Sequence, residues 1–429
     1  MFSPAIGKHY SATVSAMRAE IRFPRRQPRS HLWWPTMAKT FDLEQVRRDT
    51  PGVEQVLHFN NAGSALPPEI VVTTMTNHLR REATIGGYEA AAEAHEQLDA
   101  VYTSLAALIG ARPAQLAVVE NATRAWDMAV YGYPFEAGDR VVTCRAEYVS
   151  NIIALLQLEK RFGIEMVLID DDQHGQIDLV QLETELASGA TMVAMTHVPT
   201  NGGLINPAIQ VGMLCNKYDV FYVLDACQSV GQIPIDVAQL KCDVLSGTGR
   251  KYLRGPRGTG FLYANQRALD RIEPPFLDLH AAEWTGDRTY EVRDDARKFE
   301  NWETNYAGKL GLGAAVDYAL DMGIDTTSSR LRDLAVALRR GLASINGVSV
   351  HDKGVERCGI VTFAVDGVAS EAVSQHLSSQ HMNTSTSPAS HARLDLPHRG
   401  LPTLVRASVH YYNSVDEIER FVAAVAELA

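Results

Sequence analysis

Through the middle of the chain, short apolar runs alternate with stretches of helical periodicity. Strand-like runs fall at 116–120, 140–144, 165–169, 191–196, 221–224, 243–246 and 260–263, each bounded by turn residues. Helical patterns lie between them, at 146–162, 179–186 and 209–217. Runs that are apolar on both faces predict buried parallel strands, and the β–α alternation predicts a sheet covered on both sides. Before this region, 69–110 reads as helix with a break at Gly86-Gly87-Tyr88, since two glycines inside a helix cost roughly 2 kcal/mol. After it, 278–294 is rich in charges and aromatics, and a helix is predicted over 311–322. The remainder reads as helix 326–345, strand 359–365, helix 370–379, polar loop 383–400, strand 403–409 and a last helix from 416. The fold class is therefore α/β, with a seven-stranded, mostly parallel sheet in a large domain (60–297). A smaller α+β domain is expected from 37–59 and 298–429.

Candidate chemistry gathers at the carboxyl ends of these strands, where open α/β sheets bind ligands. Asp225 ends one apolar run, and Lys251 follows the next by a Gly-rich turn. Pyridoxal phosphate needs a lysine to form a Schiff base and an acid to keep its pyridine nitrogen protonated. Taken alone, such an aspartate also caps turns and such a lysine also lies on surfaces. Asn121-Ala-Thr-Arg-Ala-Trp126 opens a helix after a strand, where exposed amides and a threonine hydroxyl form an anion site or a plain N-cap. Arg406 sits in an apolar strand run, where a guanidinium is costly unless paired, so it asks for an anion.

Asp225-Ala-Cys-Gln228, Ser246-Gly-Thr-Gly-Arg-Lys251, Gly255-Pro-Arg-Gly-Thr-Gly260 and Val405-Arg-Ala-Ser-Val-His-Tyr-Tyr-Asn413 together resemble the class V aminotransferase family. This is the cysteine desulfurase-like branch of the fold-type I pyridoxal phosphate enzymes. The resemblance runs from about Asn60 to Asn413. It implies that Lys251 carries the cofactor and moves the substrate proton, and that Asp225 holds the ring nitrogen. It also implies phosphate contacts from Ala122, Thr123, Thr248 and Arg250, the last standing where the family usually has histidine. Gln228, with Thr200 or its neighbour Asn201, would meet the ring oxygen. Tyr148, at the start of the 146–162 helix, takes the place of the aromatic ring over the cofactor. Across a homodimer, Asn305 and Tyr306 would reach the neighbour's phosphate. Ala62 and Gly63 (with Ser64) would lie beside the substrate, and Arg406 would grip its α-carboxylate through a bidentate fork.

One departure bears on the reaction. The family's desulfurases carry a mobile cysteine about 15 residues before that arginine, and here position 391 is histidine in SPASHARLDLPHRG. Cys358 lies too far ahead for the role. His391 and Arg393, with His398 and Arg399, then suggest recognition of a polar or anionic side chain, or simply solvated loop charge. Elimination needs no such thiol, because the cofactor withdraws the electrons. The expected activity is a β-eliminating carbon–sulfur lyase. An aminotransferase, an amino-acid epimerase and a non-catalytic cofactor-binding protein are the alternatives. GGYEAA at 86–91 also resembles a phrase of the ergothioneine-pathway carbon–sulfur lyases.

Composition narrows the setting. The 429 residues are 46% hydrophobic and 21% charged, ordinary for a globular protein. A net charge of −11 argues against a general nucleic-acid or anionic-membrane binder, and no apolar run spans a bilayer. Five scattered cysteines without a CxxC pair indicate neither a zinc ribbon nor a redox motif, and fit a reducing cytoplasm. Residues 1–36 carry six basic residues against one acid and read as a disordered or targeting extension.

Overall fold

The structure is a computed structural model and describes residues 41–429. The reading of residues 1–36 lies outside the described residues.

After the two-residue β1 (Leu57–His58), the chain builds its main sheet. The strands are β2 (Leu116–Val119), β3 (Arg140–Cys144), β4 (Glu165–Ile169), β5 (Met192–Thr196), β6 (Phe221–Asp225), β7 (Val244–Thr248) and β8 (Gly260–Ala264). Their spatial order is β2-β8-β7-β6-β5-β3-β4. Strands β3 to β7 pair in parallel. β5, β6 and β7 are buried at every position because helices cover both faces, which is why β5 and β6 are written as apolar runs up to their last residue and β7 in apolar and small residues. The exception is β8, antiparallel to both neighbours, where the sequence suggested a parallel strand. No helix separates β7 from β8, and a parallel return needs a crossover.

β4 lies outside β3, and the chain then crosses back to place β5 on the other side of β3. That reversal opens a crevice at the carboxyl ends of β3 and β5, the usual ligand position in such sheets.

Before the sheet, the predicted break falls at Gly86, whose φ of 103° is open to glycine alone; Gly87 and Tyr88 already belong to the next helix. A further break at Ala94 separates Gly87–Glu93 from His95–Ile109. The helix expected over 311–322 begins earlier, as Tyr306–Met322, because the Asn305 side chain accepts the Gly308 amide at 2.8 Å and caps it.

The region 278–294, read without regular structure, holds an antiparallel hairpin of β9 (Ala282–Gly286) and β10 (Thr289–Val292). Then β11 (Val348–Val350), β12 (Ile360–Val365), β13 (Met382–Asn383), β14 (Ser385–Ser387) and β15 (Leu404–Ser408) follow. An antiparallel sheet β11-β12-β15-β14 packs its own apolar cluster under Ile324–Ala343 and Val415–Ala426, while β13 pairs with β1. β14 lies within the segment expected to be a polar loop; its Ser-Thr-Ser sequence carries no apolar alternation to announce it. Among the described residues no helix is long and apolar enough to cross a membrane.

Candidate active site

The ends of β3, β5, β6 and β7 surround a cavity of about 150 Å³. Its lining includes Ala122, Thr123, Tyr148, Thr200, Asp225, Gln228, Arg250 and Lys251, drawn from five separate stretches of sequence.

Asp225 ends β6 and is only 5% exposed. Its Oδ1 accepts the Cys227 amide at 2.8 Å and lies 3.5 Å from Ser246 Oγ; its Oδ2 accepts Asn151 Nδ2 at 3.1 Å. Burial pushes its carboxyl above the usual carboxylate range, against these donors and the charge of Lys251. Asn151 is held by Glu147, a buried acid whose oxygens also accept the Tyr148 amide (2.7 Å), the Thr196 amide (2.7 Å) and the Thr196 hydroxyl. Burial pushes Glu147 up to about 7.

Lys251 is placed by the tight loop after β7. Gly255 N donates to Gly249 O at 2.8 Å, and a Cβ on Gly249 would meet Thr259 Oγ1 at 2.3 Å, so only glycine fits there. Arg254, left-handed at φ 60°, is locked by bonds from its guanidinium to the Leu66 carbonyl, the Tyr411 hydroxyl and the Thr50 hydroxyl. Lys251 Nζ lies 3.3 Å from Cys227 Sγ, and burial pushes its amine below the ordinary lysine value.

At one end of the cavity, Ala122 and Thr123 open the helix Ala122–Val130. The Asn121 side chain accepts the Arg124 amide at 2.9 Å, and the earlier amides of that turn have no helical acceptor. Arg250 also lines this cavity, and its Nη1 donates to Thr248 Oγ1 at 3.2 Å. Thr248 itself is buried and does not line the cavity; it steadies Arg250.

Arg406 of β15, 8% exposed, does not line the cavity itself but stands behind Thr200, which does. Its Nη1 donates to Thr200 Oγ1 (2.9 Å) and Thr200 O (3.1 Å), and its Nη2 to Asn60 Oδ1 (3.3 Å). Its Nε has no partner, and among the described residues no carboxylate pairs with it. Gln228 Nε2 donates to Thr200 Oγ1 (2.8 Å) and Ala62 O (2.9 Å), while Gln228 Oε1 is buried without a partner. Thr200 Oγ1 thus accepts twice and keeps its own proton to give. Ala62 and Gly63 form a turn against β15, with the Ala62 amide on Ser408 Oγ at 2.8 Å.

Other candidates stand apart. Asn201 turns away to the His391 carbonyl at 3.4 Å, so Thr200 is the one of the two that lines the cavity. His391 and Arg393 are exposed on a loop anchored by Ala392, Leu396 and Leu404. Arg399 is engaged with Asp395 and the His351 carbonyl. Asn305 lines a second cavity with Glu300 and Lys309, and Tyr306 packs on Ala94, Leu98 and Leu310. Glu147, Asn151 and Cys227 were given no role from sequence. The signal for the first two was an acid and an amide four residues apart at a helix start.

The residues suit pyridoxal phosphate. A buried acid with spare lone pairs, a buried amine, unpaired first-turn amides beside a guanidinium, and the orphaned Gln228 Oε1 match the ring nitrogen, aldehyde, phosphate and polar ring edge of that molecule.

The chain is similar to a probable cysteine desulfurase of Xylella fastidiosa, at 30% identity over 407 residues covering 90% of this chain and 95% of that one. Its structure is like the apo cysteine desulfurase of Thermococcus onnurineus NA1: TM-score 0.85 and 26% identity over 91% of this chain and 99% of that one. It shares its fold with a C-DES variant that has glycine covalently linked to its pyridoxal phosphate cofactor (TM-score 0.81, 21% identity, 89% and 99% covered). The model of the class-V aminotransferases matches residues 56–421, and this chain belongs to that family.

Proposed function

We propose that the protein is a pyridoxal phosphate-dependent carbon–sulfur lyase that acts on a cysteine-like amino acid by β-elimination. The observation that carries this reading is the meeting of a buried acid (Asp225) and a buried amine (Lys251) in one cavity, with a buried, carboxylate-free guanidinium (Arg406) bonded to the Thr200 side chain that lines it. Bound there, pyridoxal phosphate supplies an electron sink for the charge left when the substrate loses its α-proton.

The chain's own groups do the rest. Lys251 would hold the cofactor through Nζ and, when its amine is free, would remove the substrate's α-proton as a neutral base. Its burial favours that neutral amine. Asp225 would accept a hydrogen bond from the cofactor's ring N–H and so favour the protonated, charged ring. Ala122, Thr123 and Arg250, the last steadied by Thr248, hold the phosphate. The Thr200 hydroxyl, fixed as a donor by Gln228 and Arg406, meets the ring oxygen. The Tyr148 ring closes one wall, and Arg406 takes the α-carboxylate. When the Cβ–S bond breaks, its electron pair leaves with sulfur, and hydrolysis of the residue yields keto acid and ammonia.

Elimination is favoured over transfer of sulfur to a protein thiol by the cysteines themselves. Cys144, Cys215, Cys242 and Cys358 are buried, Cys227 lies beside Lys251, and none is on the 383–400 loop. The homodimer reading is supported by membership of the class-V family; Asn305 and Tyr306, its candidates for a neighbour's phosphate, do not line their own chain's cavity. Five unpaired cysteines support a cytoplasmic setting.

Lys251→Ala should abolish the visible absorbance of the purified protein. A panel of cysteine, cystine and cysteine conjugates, with keto acid, ammonia and sulfide followed separately, tests the reaction. Keto acid with stoichiometric ammonia supports elimination. Keto acid formed only with an added acceptor, and without ammonia, makes the protein an aminotransferase instead.

A further inference from the structure

The Asp225-Ala-Cys-Gln228 segment leaves one side chain unused by the reading above. Cys227 follows β6, lines the cavity, and is the one cysteine among the described residues that is not buried outright. Its amide is fastened to Asp225 Oδ1 at 2.8 Å, and its Sγ lies 3.3 Å from Lys251 Nζ. Among the described residues, the thiol is the one hydrogen-bond partner of the lysine head group. The carboxylate, the Cys227 backbone, the thiol and the amine thus form one chain of contacts from the end of β6 to the loop after β7. The same wall holds Gln228, 2% exposed, with its Oε1 unpartnered, so the thiol stands in a pocket built for a ligand.

We infer that Cys227 is a positioning residue for Lys251: its thiol holds Nζ over the cavity in the orientation that captures the cofactor aldehyde. The inference rests on the function proposed above. Sulfur is suited to the task because it is a weak acceptor. A carboxylate in its place would keep the lysine protonated and unreactive, and a methyl group would leave four rotatable bonds unrestrained. Burial pushes the amine down and the thiol up, so the pair is held neutral, with the amine lone pair available for attack. The other groups acting on Lys251 are Asp225 from β6 and Arg250 from its own loop; their opposite charges bear on Nζ in opposite senses. Tyr148 faces the same cavity from the start of its helix.

The test is cofactor capture, read apart from turnover. Full-length protein is stripped of cofactor with a carbonyl reagent. Stoichiometric pyridoxal phosphate is then added between pH 6 and 10, and the rise of the visible absorbance is followed for wild type, Cys227→Ser and Cys227→Ala. Cys227→Ala should slow capture roughly tenfold, the effect of one lost orienting hydrogen bond. Its pH midpoint should fall, because an acceptor that favoured the protonated amine is gone. Cys227→Ser, whose hydroxyl also accepts, should restore both rate and midpoint to within about threefold and a few tenths of a pH unit. Thermal melts of the two variants control for folding. Wild-type rate and midpoint in Cys227→Ala would overturn the inference. So would equal impairment of the serine and alanine variants, which would make the residue a matter of packing. Failure of the function itself looks different: wild-type protein would then develop no visible absorbance at all.

Discussion

The floor of the cavity and its outer wall are held in different ways. On the floor, Asp225, Lys251, Ala122 and Thr123 sit on strand ends or the first turn of a helix, and main-chain geometry aims them. Asp225 is fixed by an amide two residues on, and the Lys251 loop is closed by bonds between its own glycines. The wall is assembled from side chains far apart in sequence. Arg406 reaches Thr200 and Asn60, and Gln228 ties Thr200 to Ala62. Beyond it, the His391–Arg393 loop is exposed, tethered by Ala392 and Leu396 and by the Arg399–Asp395 contact. The contrast matches two tasks. A cofactor is the same molecule at every turnover and suits a rigid cradle, whereas substrate choice is a difference between affinities and suits groups at the rim.

Breaking the wall at its anchor should have the largest effect on this contrast. Arg406→Ala removes the buried guanidinium proposed to take the α-carboxylate. Loss of such a charged pair costs about 2–4 kcal/mol, or roughly 30- to 1000-fold in kcat/KM, across all amino-acid substrates alike. Cofactor absorbance should survive. Full activity on a good substrate would show that β15 does not face the substrate.

The floor can be probed through pH. Glu147 is held up to about 7 by burial, and His197, at the end of β5, is held down to about 4. As pH rises from 4.5 to 7, the unfolded chain loses the Glu147 proton while the folded protein keeps it, so this group withdraws stability. As pH rises from 4 to 6.5, the folded protein sheds the His197 proton ahead of the unfolded chain, so this group adds stability. Each amounts to about 3 kcal/mol, and in the shared window they offset one another. Glu147→Gln removes one side of the balance. Its Tm should climb more steeply than that of the wild type between pH 4.5 and 6.5; parallel curves from melts at five pH values would refute the pairing.

The smallest effects belong to the rim. His391→Ala and Arg393→Ala should lower kcat/KM several-fold on preferred substrates and leave poor ones nearly unchanged, with cofactor affinity intact. A uniform loss across the substrate panel would place those residues in the general machinery, and no change at all would make them solvated loop charge.

Much of the floor could be read from the chain itself. Strands covered on both faces are built largely from apolar and small residues, so β5, β6 and the start of β7 appear in the sequence as runs, and the charged residues that end or follow them, Asp225 and Lys251, stand out. The hairpin of β9 and β10 and the short β14 left no such trace. The hairpin strands are almost wholly exposed, and β14 is polar, so neither needs apolar alternation. The direction of β8 was also hidden, because an apolar run is the same read in either sense.

By itself, the sequence determined the sheet, the acid and amine at its carboxyl edge, and the buried arginine, since each follows from which residues water excludes and which charges burial must justify. Only the tertiary structure decided that Thr200 rather than Asn201 lines the cavity, that Thr248 lies off the cavity and bonds Arg250, that Arg399 is engaged by Asp395, and that the Cys227 thiol meets Lys251. Those outcomes depend on distances of a few ångströms between groups that the whole fold brings together, as between Arg406 and Thr200, 206 residues apart. No local pattern encodes such distances, because they are set by how the strand ends converge when the core packs.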